Sequence, residues 1–401
     1  MNAILSSKLE HLKAPIDHVK SLAFNRSLSS VRETKAALYI QNELYKENIE
    51  SRMEYFSFTG AKRYFMRLTY VIALFYLVFF RLLLILCAYF SIKYLFQKTR
   101  NYSLVEKEES KNVVAEINAR KKNQNRAVVI LSAHYDTFSS SLPYGLQKIF
   151  FFLFKIIIFP YVFFAFMIPN LFIFSRKSEE TFQLIIIFTL VEFVIALAIL
   201  LLVYDNNKSK GSIDNASGVS ILIELIKLFK KNPLENYDII FLWSSAEEWG
   251  LKGSKSFCKR HRSYFSERYD LDRSFNINID MVGTYIGFEN RNSTPFKSQN
   301  GIFNLNKMLE ETAIELNVPL IKYKKILRPK TDHLSFRSFA KKTRSSFQVA
   351  CFHSHKDSKF IHSSKDTPDK CSSQNLNGCL DICYATIRSI DLMNFNSEEI
   401  R

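Results

Sequence analysis

Two adjacent carboxylates at the end of an apolar segment constrain the fold of this chain more than any other feature. The stretch from Ile239 to Ser254 reads IIFLWSSAEEWGLKGS. Its first half, Ile239 to Trp243, is typical of a parallel strand that is covered on both faces. Glu247 and Glu248 follow at the carboxyl end of this strand, where open α/β sheets place their sites. The segment therefore predicts a site at one edge of a parallel sheet.

The pair itself has two interpretations. Surface loops contain many solvated acidic pairs, so an isolated Glu-Glu is more often a surface turn than a site. Two neighbouring carboxylates at a strand-to-loop turn also point in different directions, so that one can bind a metal while the other handles a proton. The remaining sequence decides between these interpretations.

Two other predicted strands end in similar chemistry. Ala127 to Ser132 reads as a buried strand that delivers His134 at its end. Asp136 stands two residues later, and a carboxylate that holds the second N–H of an imidazole is what a metal-binding histidine needs. The strand FNINI at 275–279 ends in Asp280.

Two further candidates lie outside this pattern of strand ends. Asp214 stands among small residues before an amphipathic helix predicted from Val219 to Lys230, where it could also serve as a helix N-cap. His362 follows a strand predicted at 347–352 and precedes a closing helix at about 376–393.

Together these residues form a ligand set of nitrogen and oxygen atoms. Such ligands without thiolate suit zinc, and also cobalt or manganese. Five ligands are too many for one tetrahedral ion, whereas one bridging carboxylate with two ligands on each side serves two ions roughly 3.5–4 Å apart. The candidate ligands are His134, Asp214, Glu248, Asp280 and His362, with Glu247 beside them.

The motifs that carry these residues occur in a recognisable order: HYDT, DNASGV, AEEWGLKGS, NIDMVG and HSSKDT. In this series the chain resembles the aminopeptidase-type zinc exopeptidases, family twenty-eight of the metallopeptidases. The resemblance covers most of the sequence outside the apolar stretches. It implies an α/β three-layer sandwich with a mixed, mostly parallel central sheet, interrupted here by transmembrane helical insertions.

The resemblance also implies a role for each residue. His134 and Asp280 would hold one of two zinc ions, Glu248 and His362 the other, and Asp214 would bridge them. Glu247 would be the general base, and Asp136 would support His134.

The chain departs from the family pattern at two places. Thr331 precedes Asp332-His333 where a serine is usual, and the role of this motif stays open. Ile361 stands before the last histidine, where many members have a tyrosine that stabilises the oxyanion. Either another donor acts, or the second metal carries that charge.

The implied activity is hydrolysis of the N-terminal residue from a peptide, the family's commonest reaction. A carboxypeptidase or dipeptidase is the first alternative. A glutaminyl-cyclase-like transferase is less favoured, because that reaction needs only one metal and this chain keeps every ligand for two. A non-catalytic membrane scaffold on the same fold is disfavoured too, since such relatives generally lose ligands.

Three apolar stretches interrupt the predicted catalytic domain, at 68–92, 150–174 and 182–204. Each is long enough to cross a bilayer, which takes about 20 apolar residues. The last two predict a transmembrane helical hairpin. The first could be one span or a hairpin that turns near Arg81. The resemblance places the residues on both sides of it in the catalytic domain, so we expect a hairpin or re-entrant insertion.

The chain therefore divides into five segments. They are the N-terminal part of the catalytic domain at 1–63, a membrane insertion at 64–97, the continued catalytic domain at 98–146, a transmembrane hairpin at 147–204 and the rest of the catalytic domain at 205–401.

Charge bears on partners and location. A net charge of +17 indicates an anionic partner, either nucleic acid or an acidic lipid surface. No nucleic-acid motif is recognisable, so the lipid bilayer is favoured. The N-terminus lacks a signal-peptide pattern, and the six cysteines form no disulfide framework. Lysine and arginine flank the apolar segments on the catalytic side, which predicts a cytoplasmic catalytic domain.

The last expectation concerns the substrate. The hairpin at 147–204 is tethered between His134 and Asp214, so the cleft should lie near the bilayer surface. A hydrophobic or membrane-associated peptide is then the expected substrate, unless the hairpin is only an anchor. The sequence leaves the oligomeric state open.

Overall fold

The structure, a computed structural model, describes residues 15–58, 108–121, 126–140, 208–289, 303–323 and 330–393, with six isolated positions between 145 and 187. The chain divides into two compact units. One comprises residues 1–56, 109–138 and 207–401, and the other comprises residues 57–108 and 139–206. Every candidate site residue belongs to the first unit.

The second unit contains the three apolar stretches, which lie almost wholly outside the described residues. Within the parts of the chain that are described, no helix combines the length and apolarity that a membrane span requires. The predicted hairpins are therefore untested by the fold.

One eight-stranded sheet forms the centre of the first unit, with strand order β1-β2-β4-β3-β5-β8-β6-β7. The strands are numbered in chain order: β1 Ser51–Phe58, β2 Glu108–Ile117, β3 Ala127–His134, β4 Tyr237–Ser244, β5 Phe275–Ile279, β6 Ile286–Glu289, β7 Leu320–Tyr323 and β8 Gln348–Phe352.

The central strands run parallel. β3 pairs in parallel with both β4 and β5, and β5 pairs in parallel with β8. β2 joins β4 and β6 joins β8 in antiparallel orientation, and β7 is parallel to β6. The register sets His134 opposite Ser244 and Ile279 opposite Phe352. The carboxyl ends of β3, β4, β5 and β8 therefore meet at one edge of the sheet.

Helices cover both faces of this sheet. They are α1 Pro15–Ser21, α2 Val31–Tyr45, α3 Ser217–Lys231, α4 Lys252–Arg268, α5 Leu305–Glu315, α6 His333–Thr343 and α7 Ser373–Leu392. Helices α4 and α6 pack on each other against one face, and α3, with α1 and α7 beside it, covers the other. Short helical turns occupy Ser212–Ala216, His355–Lys359 and Pro368–Lys370.

The apolar runs of the central strands explain this layering. Successive side chains of a strand point to opposite faces, so a strand that is buried on both sides needs apolar residues throughout. In β4, Leu242 packs with Phe257 of α4, whereas the next residue, Trp243, donates its indole N–H to the Val219 carbonyl of α3 at 3.3 Å. The mixed α/β sheet with helices on both faces is the fold expected from the sequence.

Candidate active site

His134 lies at the carboxyl end of β3 and is buried. Its Nε2 atom is 3.0 Å from Oδ1 of Asp214 and 3.6 Å from Oδ1 of Asp280. Its Nδ1 atom faces Asp136, 3.2 Å from the backbone oxygen and 3.4 Å from Oδ1. The imidazole therefore presents one nitrogen to two carboxylates while Asp136 orients the other.

Asp214 is the centre of the arrangement, because its two carboxylate oxygens face different histidines. Oδ1 lies near His134, and Oδ2 lies 3.3 Å from Nε2 of His362. That Nε2 atom is also 2.8 Å from Oε1 of Glu248. Two groups of ligand atoms result, each with all atoms within 4.8 Å of one another: His134 with Asp214 and Asp280, and Asp214 with Glu248 and His362.

The backbone around Asp214 is held by two buried side chains. Asp366 accepts hydrogen bonds from Ile213 N at 2.6 Å and from Asp214 N at 3.3 Å. Asn215 donates to the Ile279 carbonyl at 2.9 Å and accepts from Met281 N at 3.2 Å. Ile279 and Met281 are the residues on either side of Asp280 in the chain. Asn215 therefore fixes the distance between the candidate ligands Asp214 and Asp280.

The turn that carries the Glu247-Glu248 pair is held by Asp136. This carboxylate accepts the backbone N–H groups of Glu247 at 3.1 Å and Glu248 at 3.2 Å. Asp136 therefore supports the imidazole of His134 and the acidic turn at once. Sequence reasoning expected only the first of these contacts.

The protonation behaviour of the site reflects its surplus of negative charge. Burial alone would lower the pKa of His134, but the hydrogen bonds that its imidazole donates to Asp136, Asp214 and Asp280 hold this pKa well above the ordinary value. For His362, Glu248 and Asp214 likewise overcome the effect of burial and raise the pKa well above the ordinary value. Two imidazoles that bind protons this strongly, His134 buried and His362 partly exposed, mark a place where cations are stabilised.

The carboxylates respond in two ways. Burial would raise the pKa of Asp214, yet the two histidines lower it strongly, so this bridge between the groups is anionic. Burial raises the pKa of Glu247 well above the ordinary value, and the charges of Glu248 and Asp280 raise it further while His134 opposes them. A carboxyl group with high proton affinity beside an anionic cluster has the chemistry of a general base.

Backbone strain concentrates at the same place. Left-handed φ values occur at Ala246 (55°), immediately before the glutamate pair, at Met281 (75°), after Asp280, and at the candidate ligand His362 (56°). Such conformations cost of order 1–3 kcal/mol each and cluster at functional sites.

The motif at Asp332-His333 divides between two environments. The Asp332 carboxylate accepts hydrogen bonds from Ser244, at the end of β4, and Ser254, in the first turn of α4. It therefore holds both ends of the segment with the glutamate pair, and burial raises its pKa to about 6. His333 lies instead in the core, where its Nδ1 atom is 2.5 Å from Thr331 Oγ1.

His333 belongs to a third group of potential metal ligands, with Glu289 and Cys351. His333 Nε2 lies 3.4 Å from Oε2 of Glu289. Burial raises the pKa of the Cys351 thiol well above its ordinary value, which favours the neutral form rather than a metal-binding thiolate.

Apolar side chains flank the two main ligand groups. The Phe138 ring contacts the imidazole of His362 edge to face, with centroids 5.5 Å apart, and the Trp249 indole at 6.5 Å. Ile361, at the position where related sequences have a tyrosine, is 4% exposed. The wall beside His362 is therefore aromatic and aliphatic.

The structure brings together all seven residues singled out from the sequence: His134, Asp136, Asp214, Glu247, Glu248, Asp280 and His362. Sequence reasoning missed the positioning roles of Asn215 and Asp366 and the wall formed by Phe138. Asn215 and Asp366 lie inside the quoted motifs DNASGV and HSSKDT, so their place beside candidate ligands was the available signal. Phe138 follows the HYDT motif directly.

Solved structures of other proteins share this fold. The structure resembles the aminopeptidase from Aneurinibacillus sp. strain AM-1 with a TM-score of 0.56 and 14% identity, over 94% of this chain and 93% of that one. It resembles an Acidobacteriales bacterium glutaminyl cyclase with a TM-score of 0.54 and 15% identity, over 94% of each chain. At these identities the likeness establishes the fold alone.

Comparison at the level of sequence gives one family model and a curated relative, each matched over part of the chain. Residues 200–387 match the model of Peptidase family M28. Aminopeptidase YwaD from Bacillus subtilis (strain 168) is 40% identical over 77 residues, which are 19% of this chain and 16% of that protein. The match to the family model covers somewhat less than half of this chain. Because the alignment spans only a sixth of the curated relative, its activity is carried over below as a proposal.

Proposed function

We propose that this chain is a two-metal exopeptidase that hydrolyses the N-terminal peptide bond of peptides. The observation that supports this most directly is the position of Asp214, whose two oxygens lie 3.0 Å and 3.3 Å from the histidines of two ligand groups. A carboxylate shared in this way is the bridging ligand that a two-metal site needs.

The donor set fits zinc. It consists of imidazole nitrogens and carboxylate oxygens. The carboxylates give the site a negative charge that two neutral imidazoles do not offset. His134 and Asp280 would hold one ion, Glu248 and His362 would hold the other, and Asp214 would join them. Bound zinc supplies Lewis acidity, which acidifies water and polarises the scissile carbonyl group.

Glu247 performs the proton transfers in this proposal. Its carboxylate takes a proton from the attacking water, and the resulting carboxylic acid gives that proton to the departing amine. Its high proton affinity, caused chiefly by burial, suits both steps. Asp136 keeps the carboxylate in place through the N–H of Glu247.

Replacement of this residue tests the mechanism. We expect Glu247→Gln to retain zinc and to lower kcat on aminoacyl anilides by about 10²–10⁴-fold, the usual contribution of a general base. Glu235→Gln is the control, because Glu235 precedes β4 and the glutamate pair follows the opposite end of that strand. Full activity of the Glu247 variant with zinc bound would exclude the base assignment, and activity that survives chelation would exclude metal catalysis.

Blocked peptides decide which end is cleaved. An aminopeptidase releases the first residue of a free peptide and leaves an N-acetylated one intact. A carboxypeptidase cleaves the acetylated peptide, and a dipeptidase acts only on dipeptides. The apolar wall at Phe138, Trp249 and Ile361 supports a preference for an apolar first residue.

Glutaminyl cyclisation is the second candidate, since structures of that activity share the fold. The second ligand group, Glu248 and His362 with Asp214, is complete here and supports the peptidase instead. Incubation of a peptide with N-terminal glutamine separates the two: cyclisation releases ammonia from the intact peptide, whereas hydrolysis releases free glutamine.

We further propose that the insertions at 64–97 and 147–204 anchor the catalytic unit to a bilayer, with this unit on the cytoplasmic side. Their apolar composition and flanking positive charge support this. Leu146, directly before the second insertion, is 43% exposed, and Ile149 and Phe152 within it are 52% and 59% exposed. Large apolar residues exposed in succession suit a lipid environment.

Topology has a direct test. Cysteines introduced at the exposed positions 20 and 109 should be labelled from the same side, because both lie in the catalytic unit. An alkaline phosphatase fused to the C-terminus should be inactive if that side is the cytoplasm. Opposite labelling would rule out the hairpin at 64–97, and an active fusion would reverse the sidedness.

Such an anchor suggests hydrophobic or membrane-associated peptides as substrates. Replacement of residues 147–206 by a short Gly/Ser linker examines this. Provided that the variant folds and binds zinc, we expect weaker cleavage of lipid-partitioning peptides in the presence of vesicles, with cleavage of water-soluble peptides retained. If the variant cleaves lipid-partitioning peptides and water-soluble peptides as well as the parent does, the insertion serves only as an anchor.

A further inference from the structure

A basic pocket of about 440 Å³ lies on the catalytic unit between the segment after α1, the first turns of α2 and the chain before the turn at Ser212–Ala216. None of the candidate ligands lines it. The described lining consists of Ala23, Phe24, Asn25, Arg32, Lys35, Lys208, Ser209 and Lys210.

Four of these residues are cationic, and the described lining contains no carboxylate. Arg32 and Lys35 stand one turn apart on α2, so their side chains share a face of the helix. The Lys35 ammonium lies 5.2 Å from the centroid of the Phe24 ring, a cation–π contact that keeps it at the pocket wall. Lys208 and Lys210 belong to the chain segment before the turn at Ser212–Ala216, which lines the other side of the pocket.

A buried amide adds a neutral donor to this charge. Asn25 is 6% exposed, and its Oδ1 atom accepts hydrogen bonds from the N–H and hydroxyl of Ser27 at 3.2 Å and 2.8 Å. Its Nδ2 atom, also buried, has no hydrogen-bond partner among the described residues. A buried donor without a partner costs about 1–3 kcal/mol, so a ligand that accepts from it would be stabilised.

Ser209 supplies another donor. It is 2% exposed, and its hydroxyl oxygen accepts the N–H of Gly211 at 3.1 Å. Because the oxygen serves as the acceptor, the hydroxyl proton can be donated to a ligand. Two buried polar donors among four cations match a compact anion with several acceptor oxygens, which is the chemistry of a phosphate group.

We propose that this pocket binds a phosphate group, with the headgroup of an anionic lipid as its source. Lys208 and Lys210 lie four and six residues after the end of the apolar stretch at 182–204, so the sequence ties the pocket to the proposed membrane hairpin. Basic residues next to a membrane segment are where anionic lipid headgroups bind. The assignment concerns binding alone and does not depend on peptide hydrolysis.

Short-chain lipids test the site on the purified full-length protein in a neutral detergent. We expect dioctanoyl phosphatidic acid to bind at least about tenfold more tightly than dioctanoyl phosphatidylcholine, and the affinity to fall as salt is raised. Asn25→Asp should weaken binding about tenfold or more. This variant keeps the acceptor for Ser27 and replaces the N–H donor by a charged oxygen that repels phosphate.

Arg32→Ala combined with Lys35→Ala provides a second variant, at exposed positions where folding is retained. It should also weaken binding about tenfold. The matched control, Lys230→Ala with Lys231→Ala, removes the same charge at the exposed end of α3 and should bind as the parent does. All variants should cleave aminoacyl anilides at the parental rate, so this result is separate from the fate of the proposed peptidase activity.

Two outcomes overturn the assignment in different ways. If both pocket variants bind phosphatidic acid as well as the control does, the pocket is not the binding site. If inorganic phosphate binds as tightly as phosphatidic acid and the pocket variants weaken both, the phosphate site stands and the lipid source is wrong.

Discussion

Replacement of Asp366 by asparagine should disturb the proposed metal site without removal of a ligand. Both oxygens of Asp366 accept backbone N–H groups at the bridging position, from Ile213 at 2.6 Å and from Asp214 at 3.3 Å. Asn keeps one acceptor oxygen but directs an NH₂ group at the other N–H. The buried contact is then a donor against a donor.

The magnitude follows from these two bonds. A hydrogen bond to a charged group contributes about 1.5–3 kcal/mol, and a buried group left unsatisfied costs about 1–3 kcal/mol. We therefore expect Asp366→Asn to lower the free energy of unfolding by about 2–4 kcal/mol. Because the carboxylate orients the backbone of Asp214, zinc affinity and kcat/KM should each fall by about 10–100-fold, as for other groups that support metal ligands.

Three measurements on one preparation examine this: denaturant unfolding, zinc content by mass spectrometry and steady-state cleavage of an aminoacyl anilide. Asp369→Asn is the matched control, since Asp369 is exposed and its ion pair is with its neighbour Lys370. The loss of kcat/KM should have two parts. One part comes from weaker zinc binding and is restored by added zinc, and the other is a lower kcat that remains at saturating zinc. An Asp366 variant with parental stability, zinc affinity and kcat/KM would refute the positioning role.

Three further perturbations have expected outcomes. Burial opposes ionisation of Glu224, but His18 and Lys227 lower its pKa overall. The contribution of the Glu224 carboxylate to stability is therefore present above about pH 4.5 and is lost as the pH falls through its folded-state pKa. Glu224→Gln should therefore destabilise the protein by about 2–3 kcal/mol at pH 7, with a difference in unfolding free energy that shrinks below pH ~4.5, while exposed Glu50→Gln shows neither effect. Removal of metal by a chelator should lower the unfolding free energy by about 4 kcal/mol per ion for ions present at 1,000 times their Kd, and an unchanged thermal midpoint would contradict the metal assignment. Gly218→Ala should cost about 1–3 kcal/mol, measured by denaturant unfolding, because an added Cβ would overlap the Ile279 carbonyl and the Asn215 amide; parental stability would show that the helix can shift away from β5.

The central strands were predictable because a strand that is buried on both faces consists of consecutive apolar residues. Strands β3, β4, β5 and β8 are apolar runs buried on both faces, and each was recognised within two residues of its ends. Other elements carry weaker signals. Strands β6 and β7 have only four residues each, and helix α4 is largely polar with a few buried side chains such as Phe257 and Phe265.

Helix boundaries depended on side-chain contacts that periodicity does not reveal. The first long helix begins at Val31, because Ser30 caps it by accepting the N–H of Glu33. Glu33 in turn accepts the N–H of Ser29, the residue before the cap, at 2.6 Å. The same carboxylate also accepts the hydroxyl of Ser245, just before the glutamate pair. A contact across more than 200 positions has no trace in local sequence.

The site was predictable to the extent that its chemistry resides in motifs. Residue types and their order indicated which side chains would converge, and the structure places all of them at one edge of the sheet. The supporting contacts were not predictable, because Asp366 reaches Ile213 from 153 positions away. Whether a residue binds metal or holds a ligand depends on three-dimensional direction, which spacing along the chain does not encode.

A buried arginine explains how a site of this kind accommodates a long insertion between two of its ligands. Arg26 donates to the Tyr135 carbonyl at 2.7 Å on one side of the insertion and to the Lys210 and Gly211 carbonyls at 2.9 Å and 2.8 Å on the other. Its backbone N–H also donates to the Thr137 hydroxyl at 2.7 Å. Both ends of the insertion are therefore fixed to one guanidinium group. Since the lost entropy of closing a loop grows only slowly with its length, a segment of any size can be inserted between fixed ends at small cost to the fold. His134 and Asp214 can thus remain 3.0 Å apart whatever structure the intervening residues adopt.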